Sequence, residues 1–216
     1  MKIVLFGSGS SMIVEVEETC ARLGLDIAAI VKNMAGADHA LARERIVMAD
    51  ELTADVKSHD YIVPVFTPGH RLAGMQDAVN RGFKSAATLV DPTAVVARST
   101  ALGEGTYVNS GAIIGAASTL ATFVFVNRGA GIGHHVAVAD FASIGPGAVI
   151  SGEVKIGRGA VIGAGATVLP AVEIGANSVI GAGAVVREAV PERCLAVGNP
   201  ARIVRTGCAG YRNLSV

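Results

Sequence analysis

Every sixth residue from Val90 to Val186 is aliphatic, seventeen in succession without a slip. The series opens Val90, Val96, Leu102, Val108, Ile114 and closes Ile174, Ile180, Val186. Two residues before each stands a small or β-branched residue, such as Thr106, Ala130, Ala148 or Ala166. A separation of two puts both side chains on one face of a strand, so both point inward. Four residues then remain to turn a corner. Three short strands and three corners make a triangular coil of 18 residues, and seventeen hexads make between five and six coils. With about 4.8 Å between stacked strands, such a prism is roughly 25 Å long. An amphipathic helix needs a period of 3.6, and an antiparallel sandwich needs turn signals every 8–12 residues. The pattern therefore specifies a parallel β-helix. Glycine follows the aliphatic residue in eight of the seventeen hexads, where a corner with φ > 0 or a close backbone approach is expected.

Composition divides the chain at the same place. Seven of the 27 glycines lie in residues 1–88 and twenty lie beyond. They never fall into every third place, which excludes collagen. A hydrophobic content of 51% with 17% charged residues argues against disorder. The net charge of +0 lacks the basic footprint of a nucleic-acid binder. No apolar run reaches the length of a membrane span. The start, Met1-Lys2-Ile3-Val4-Leu5-Phe6-Gly7, does not read as a signal peptide. Cys20, Cys194 and Cys208 are odd in number and far apart, giving neither a disulfide framework nor a CxxC pair, and the cytoplasm is the expected compartment.

The first half alternates strand and helix, which implies a small Rossmann-like parallel α/β sheet over residues 1–86, followed by the β-helix and its cap over 87–216. Residues 2–6 read as a strand, 12–23 as a helix with Ile13, Val16, Cys20 and Leu23 at spacings of three and four, and 26–31 as a strand. A short strand near Ile46-Val47 and a helix over 49–56 are expected, then a strand over 61–66 and a helix over 71–81. Gly7-Ser8-Gly9-Ser10 joins the first strand to the first helix, where backbone N–H groups can meet a phosphate; a plain turn is the alternative. The GxGxxG pattern fails because position 12 is Met12. Lys32-Asn33 stands where a dinucleotide site needs an acid, so NAD is disfavoured.

Two histidines interrupt the prism, in Gly131-Ile132-Gly133-His134-His135. By the hexad register both lie on a corner and neither is core. The equivalent corner one coil later carries Gly152, whose lack of a side chain lets a ligand approach and exposes an N–H. Three readings stand open: a general base, since imidazole titrates near neutrality; a metal site; or two exposed polar corner residues. A metal needs three or four ligands, yet the prism has no third His, no Cys, and Asp140 on another corner, so no metal is expected. Past the last hexad, Val197-Gly198-Asn199-Pro200-Ala201-Arg202 closes the prism end, as a cap or with Arg202 available to a phosphate.

The hexads, Ile132-Gly133-His134 and Val197-Gly198-Asn199-Pro200-Ala201 resemble the left-handed β-helix acyltransferases of the hexapeptide class. With an α/β domain in front, the chain resembles the sialic-acid O-acetyltransferase and nucleotide-amino-sugar N-acetyltransferase type. The resemblance implies acetyl-CoA as cosubstrate, no metal, a homotrimer with active sites between subunits, and a sugar or nucleotide-sugar acceptor for glycan or polysaccharide biosynthesis. It implies His134 as general base, with His135 beside it and the Gly152 N–H facing the thioester carbonyl. It places Ser143, Ala164, Ala182, Gly198 and Arg202 at the CoA, and Gly7, Ser8, Gly9, Ser10, Asn33 and Asn127 at the acceptor. Relatives commonly carry an acid after the base, Gly-His at the end of the glycine loop, and an acidic pair after the second strand. Here His135, Ser11-Met12 and Lys32-Asn33 stand in those places. A non-catalytic scaffold trimer and a metal-dependent prism enzyme are the competing functions.

Overall fold

The period-six pattern becomes seventeen two-residue strands, running from Leu89–Val90 to Val185–Val186 in the computed structural model, which describes residues 2–216. Each of the first fourteen pairs in parallel with the strand one coil later: Phe125 with Ser143, Gly131 with Val149, Ala137 with Lys155. Three stacked parallel sheets result, and the aliphatic series fills the space between them, with Ile132, Ile144, Ile150 and Ile162 all buried. Each such side chain contributes about 1.5–3 kcal/mol of burial. The last coil is shorter, because Leu195 pairs with Val179 and Val190 bridges to Ile174, each sixteen residues on.

The corners divide their glycines between two tasks. After the aliphatic residue, glycine is demanded by close approach alone: a Cβ on Gly115 would sit 2.6 Å from the Gly133 carbonyl carbon, and one on Gly163 would sit 2.5 Å from the Ala182 nitrogen. The left-handed backbone expected there lies two residues further on. Glycine fills that place at Gly111, Gly129 and Gly165, but so do Ala117, Phe123, His135, Glu153 and Asn177.

The outward residues make the three faces unlike. The first face, carrying Leu89, Tyr107, Phe125, Ser143 and Val161, is buried. The second exposes Val95, Ile113 and Val149 at 62%, 57% and 49%. The third is small and polar, with Ala137 and a Lys155–Glu173 ion pair at 2.7 Å.

The N-terminal domain covers the first face. Its parallel sheet has the order β3-β2-β1-β4, with β1 Lys2–Phe6, β2 Asp26–Lys32, β3 Ile46–Met48 and β4 Asp60–Ile62. Helix α1 is Ile13–Leu23, α2 is Ala54–Lys57 and α3 is Pro68–Asn80. Two expectations change. The helix expected over 49–56 splits into a 3-10 turn at Ala49–Glu51 and the short α2, whose cap Thr53 accepts the Val56 N–H. Strand β4 stops at Ile62 rather than at residue 66, because the next residues leave the sheet to give the Val65 and Phe66 carbonyls to Arg71.

Arg71 joins the two domains. It is 1% exposed and reaches from α3 to the corner of the prism. Its Nε donates to the Phe123 carbonyl, and its Nη2 to the Phe141 and Ala142 carbonyls and the Ser143 hydroxyl. Burial pushes the guanidinium down to about 9, and carbonyl oxygens rather than a carboxylate receive its protons. A second polar network lies nearby. Thr19 and Arg22 of α1 donate to buried Asp91, and Thr19 meets the Tyr107 hydroxyl at 2.9 Å. The C-terminal segment folds back on the same side: the Val216 N–H donates to Asn177 and Tyr211 packs edge-on against Phe66.

Candidate active site

His134 and His135 sit on the corner joining strand Gly131–Ile132 of the second face to Ala137–Val138 of the third. The backbone holds them through three bonds. Gly133 N–H donates to Ile150 O, His135 N–H to Ala116 O, and Glu153 N–H to His134 O. His135 adopts φ 56, the left-handed conformation that Ala117 and Glu153 take in the coils below and above it. The two Nδ1 atoms lie 3.0 Å apart, with the rings edge to face at 83°. Both residues are exposed.

Gly152 lies directly over His134, as the eighteen-residue register requires. A Cβ there would stand 2.6 Å from His134 Cε1 and 2.8 Å from Nε2. Glycine is thus a steric condition for the ring's placement. The Gly152 N–H has no acceptor among the described residues. An imidazole with a free Nε2 beside a free backbone donor can take a proton and can stabilise a developing oxyanion.

The residues expected at CoA occupy a different corner. Ala164 and Ala182 stack in consecutive coils between the first and second faces, joined by a 2.8 Å bond from Gly183 N–H to Ala164 O. Both are exposed, as are Gly198 and Arg202 at the prism end, where Val197 pairs antiparallel with Arg202. Ser143 is corrected. Its side chain is fully buried on the first face, donates to Phe66 O and accepts from Arg71, so it presents nothing to a ligand. Asn127 is 6% exposed, and its oxygen accepts from Asn109 Nδ2 and the Arg128 N–H. As placed, it braces its corner.

The glycine loop is partly occupied by its own chain. The Gly7 and Ser8 N–H groups both donate to Val31 O, at 3.0 and 3.1 Å. Ser10 takes the Met12 N–H with its hydroxyl and the Ile13 N–H with its carbonyl. The Ser8 hydroxyl donates to Asp38, which also binds Lys32 Nζ at 2.7 Å. Those two partners hold the Asp38 carboxyl below the usual carboxylate range. Asn33 donates to Asp77 of α3. Gly9 remains exposed at the loop's tip. Asp38 was invisible to sequence reasoning, as was Glu17, whose carboxylate receives the Leu41 and Ala42 N–H groups and pins the segment over the loop. Neither belongs to a spaced pattern. Cys20 is buried against Ile13 and Val16, and burial with nearby Glu17 pushes its thiol up to about 11, which removes it as a nucleophile.

Among the described residues no cluster of three or more His, Cys, Asp or Glu is placed to hold a metal ion, and no helix is long and apolar enough to cross a membrane.

Residues 153–188 match the family model "Bacterial transferase hexapeptide (six repeats)". Among curated proteins no sequence matches the chain. Solved structures match over most of its length. A histidine-to-alanine mutant of GDP-perosamine N-acetyltransferase from Caulobacter crescentus, in complex with CoA and GDP-perosamine, is 31% identical, with a TM-score of 0.83 over 95% of this chain and 97% of that one. The acetyltransferase domain of PglB from Neisseria gonorrhoeae, in complex with acetyl coenzyme A, is 29% identical, with a TM-score of 0.83 over 94% and 98%. WeeI from Acinetobacter baumannii, at 20% identity and a TM-score of 0.80, shares the fold. Both domains are covered in each case, and the chain belongs to the hexapeptide-repeat, left-handed β-helix acetyltransferases.

Proposed function

We propose that the protein transfers the acetyl group of acetyl-CoA to the amine of a nucleotide-linked amino sugar. The observation that carries this is the match, through both domains, to an enzyme that holds CoA and GDP-perosamine together. A prism alone would name only the donor half of the reaction.

The chemistry follows from the corner. A neutral acceptor amine attacks the thioester carbonyl, forming the N–C bond. The oxyanion is met by the Gly152 N–H, a kind of contact worth about 3 kcal/mol. His134 Nε2 removes the proton from the attacking nitrogen. The C–S bond breaks, and that proton passes to sulfur, leaving the amide and CoA thiol. No acyl-enzyme is needed.

His134 and the Ala164–Ala182 corner stand at opposite ends of the second face, so one chain does not bring them together. Two neighbouring prisms meeting along that face do. The exposed Val95, Ile113 and Val149 support such a contact, and with it a homotrimer whose sites lie between subunits. The N-terminal loop, carried on the first face, then offers Gly9, Ser10 and the Asp38 cluster to the acceptor held over a neighbour's His134.

His134→Ala tests the assignment. Turnover, followed by mass spectrometry against a panel of nucleotide amino sugars, should fall by about 10²–10⁴. The thermal shift produced by CoA should persist. Unchanged turnover removes His134 as the base, and absence of any CoA shift in the unmodified protein favours a scaffold.

A further inference from the structure

His135 has no task in the reaction as drawn, yet its ring is not loose. Its Nδ1 is 3.0 Å from His134 Nδ1. Two imidazole nitrogens at that distance form a hydrogen bond only if one carries a proton and the other a lone pair. There are two such arrangements. In the first, His134 donates Nδ1–H to His135, and His134 Nε2 bears a lone pair. In the second the direction reverses, and a neutral His134 carries its proton on Nε2, where it cannot accept another.

We propose that His135 is a positioning residue that accepts the Nδ1 proton of His134 and so fixes the tautomer whose Nε2 is the base. The proposal rests on the reading of His134 as general base given above. It rests also on the contact itself, two Nδ1 atoms at 3.0 Å with the rings edge to face at 83°. During transfer, the acceptor's proton moves to His134 Nε2 and on to the CoA sulfur. The Nδ1 proton stays between the two rings throughout.

The neighbouring coils bring no carboxylate into an ion pair with either ring. The coil below places Ala116 and Ala117 under the pair. The coil above places Gly152, which leaves room for the ring, and Glu153, which bonds to His134 O through its N–H and forms no ion pair with either imidazole. The next charges in this corner column are Arg98, two coils below, and Glu188, three coils above. An imidazolium on His134 is therefore steadied by a lone pair and not by a carboxylate. A carboxylate in place of His135 would favour the protonated base.

The test compares kcat, KM and the pH dependence of kcat/KM for His135→Ala, His135→Asn and His135→Glu. Ala117, Asn177 and Glu153 already occupy the same left-handed corner position, so none of these side chains asks the backbone for a new conformation. His135→Ala should lose about tenfold or more in kcat, part of the general-base contribution, with KM for acetyl-CoA unchanged. Asn and Glu both accept an N–H, and both should recover most of that loss. Glu should also move the acid limb upward by about one pH unit. A purely structural role would give no such recovery by side chains that share only the ability to accept an N–H. Full kcat in His135→Ala, or Asn and Glu variants as slow as Ala, overturns the positioning role. His134→Ala run beside them separates the two ideas. Loss at His134 with none at His135 overturns only this proposal, whereas no loss at His134 overturns the base itself.

Discussion

The prism and the N-terminal domain are stabilised by contacts of different reach. In the prism every strand is paired with the one eighteen residues away, and one coil repeats the geometry of the next. The core of one extends the core of another without a break. The N-terminal domain is attached by an apolar seam that includes Tyr107, Phe125 and Phe123, and by polar devices that do not repeat along the prism: Arg71 with its carbonyls, the Thr19–Arg22–Asp91–Tyr107 network and the Glu15–Arg128 pair. A repeat spreads stability over many equal interfaces, whereas docking concentrates it in a few groups. The candidate site is divided the same way. His134 and Gly152 are placed by coil stacking, and the glycine loop is placed by docking.

The largest effect should come from removing the docking cation. Arg71→Met leaves the Phe123, Phe141, Val65 and Phe66 carbonyls without their donor. The cost is about 3 kcal/mol or more. Denaturant unfolding should separate into two transitions, with the N-terminal domain released first and the strands of the prism still protected from hydrogen exchange. A single transition at the original midpoint would erase the distinction drawn between the two regions.

Acid should loosen the same junction by a smaller step. Burial acts to raise the Asp91 carboxyl, but hydrogen bonds from the Thr93 side chain and N–H, Arg22 and Thr19 outweigh it and hold it down to about 2. An unfolded aspartate titrates near 4. The folded value is the lower, so this contribution is complete above about pH 4 and fades as the pH falls toward 2. Hydrogen exchange in α1 should quicken across that window before exchange in the prism does. Asp91→Asn should remove most of the difference, and equal acceleration in both regions would contradict it.

This asymmetry also explains what a single sequence discloses. All seventeen hexads could be placed in register by reading, because each inward residue is fixed by neighbours at a constant spacing. The histidine corner was legible as an interruption of that spacing, and Gly152 as the residue one coil beyond. Of the two demands expected at the glycine after the aliphatic residue, close approach holds there; the left-handed position two residues on has no residue signature, because alanine, phenylalanine and histidine occupy it as readily as glycine does. Arg71 sits in the first turn of a helix and gave no sign that its partners lie at Phe123 and Phe141, some fifty and seventy residues away. Ser143 occupies an ordinary outward place in its hexad, and only the docking of the other domain buries it. Asp38 and Glu17 act through a segment with no period at all. Spacing carries stacking, and it does not carry docking.

The finest contrast lies inside one corner, at two glycines two residues apart. Gly163→Ala would push a methyl to 2.5 Å from the Ala182 nitrogen and 2.7 Å from the Ile180 oxygen, both backbone atoms of the next coil. Neither can move without shifting a whole strand, so the expected loss is about 1–3 kcal/mol, as for an overpacked core. Gly165→Ala meets nothing within 4 Å and retains only the penalty of a left-handed φ of +63, about 1 kcal/mol. Ala117 and Ala171 show that the fold already carries alanine in that conformation. Chemical denaturation of the two variants should therefore rank Gly163→Ala well below Gly165→Ala. The reverse order would mean that conformational freedom, and not the approach of successive coils, is what the corner asks of its glycines.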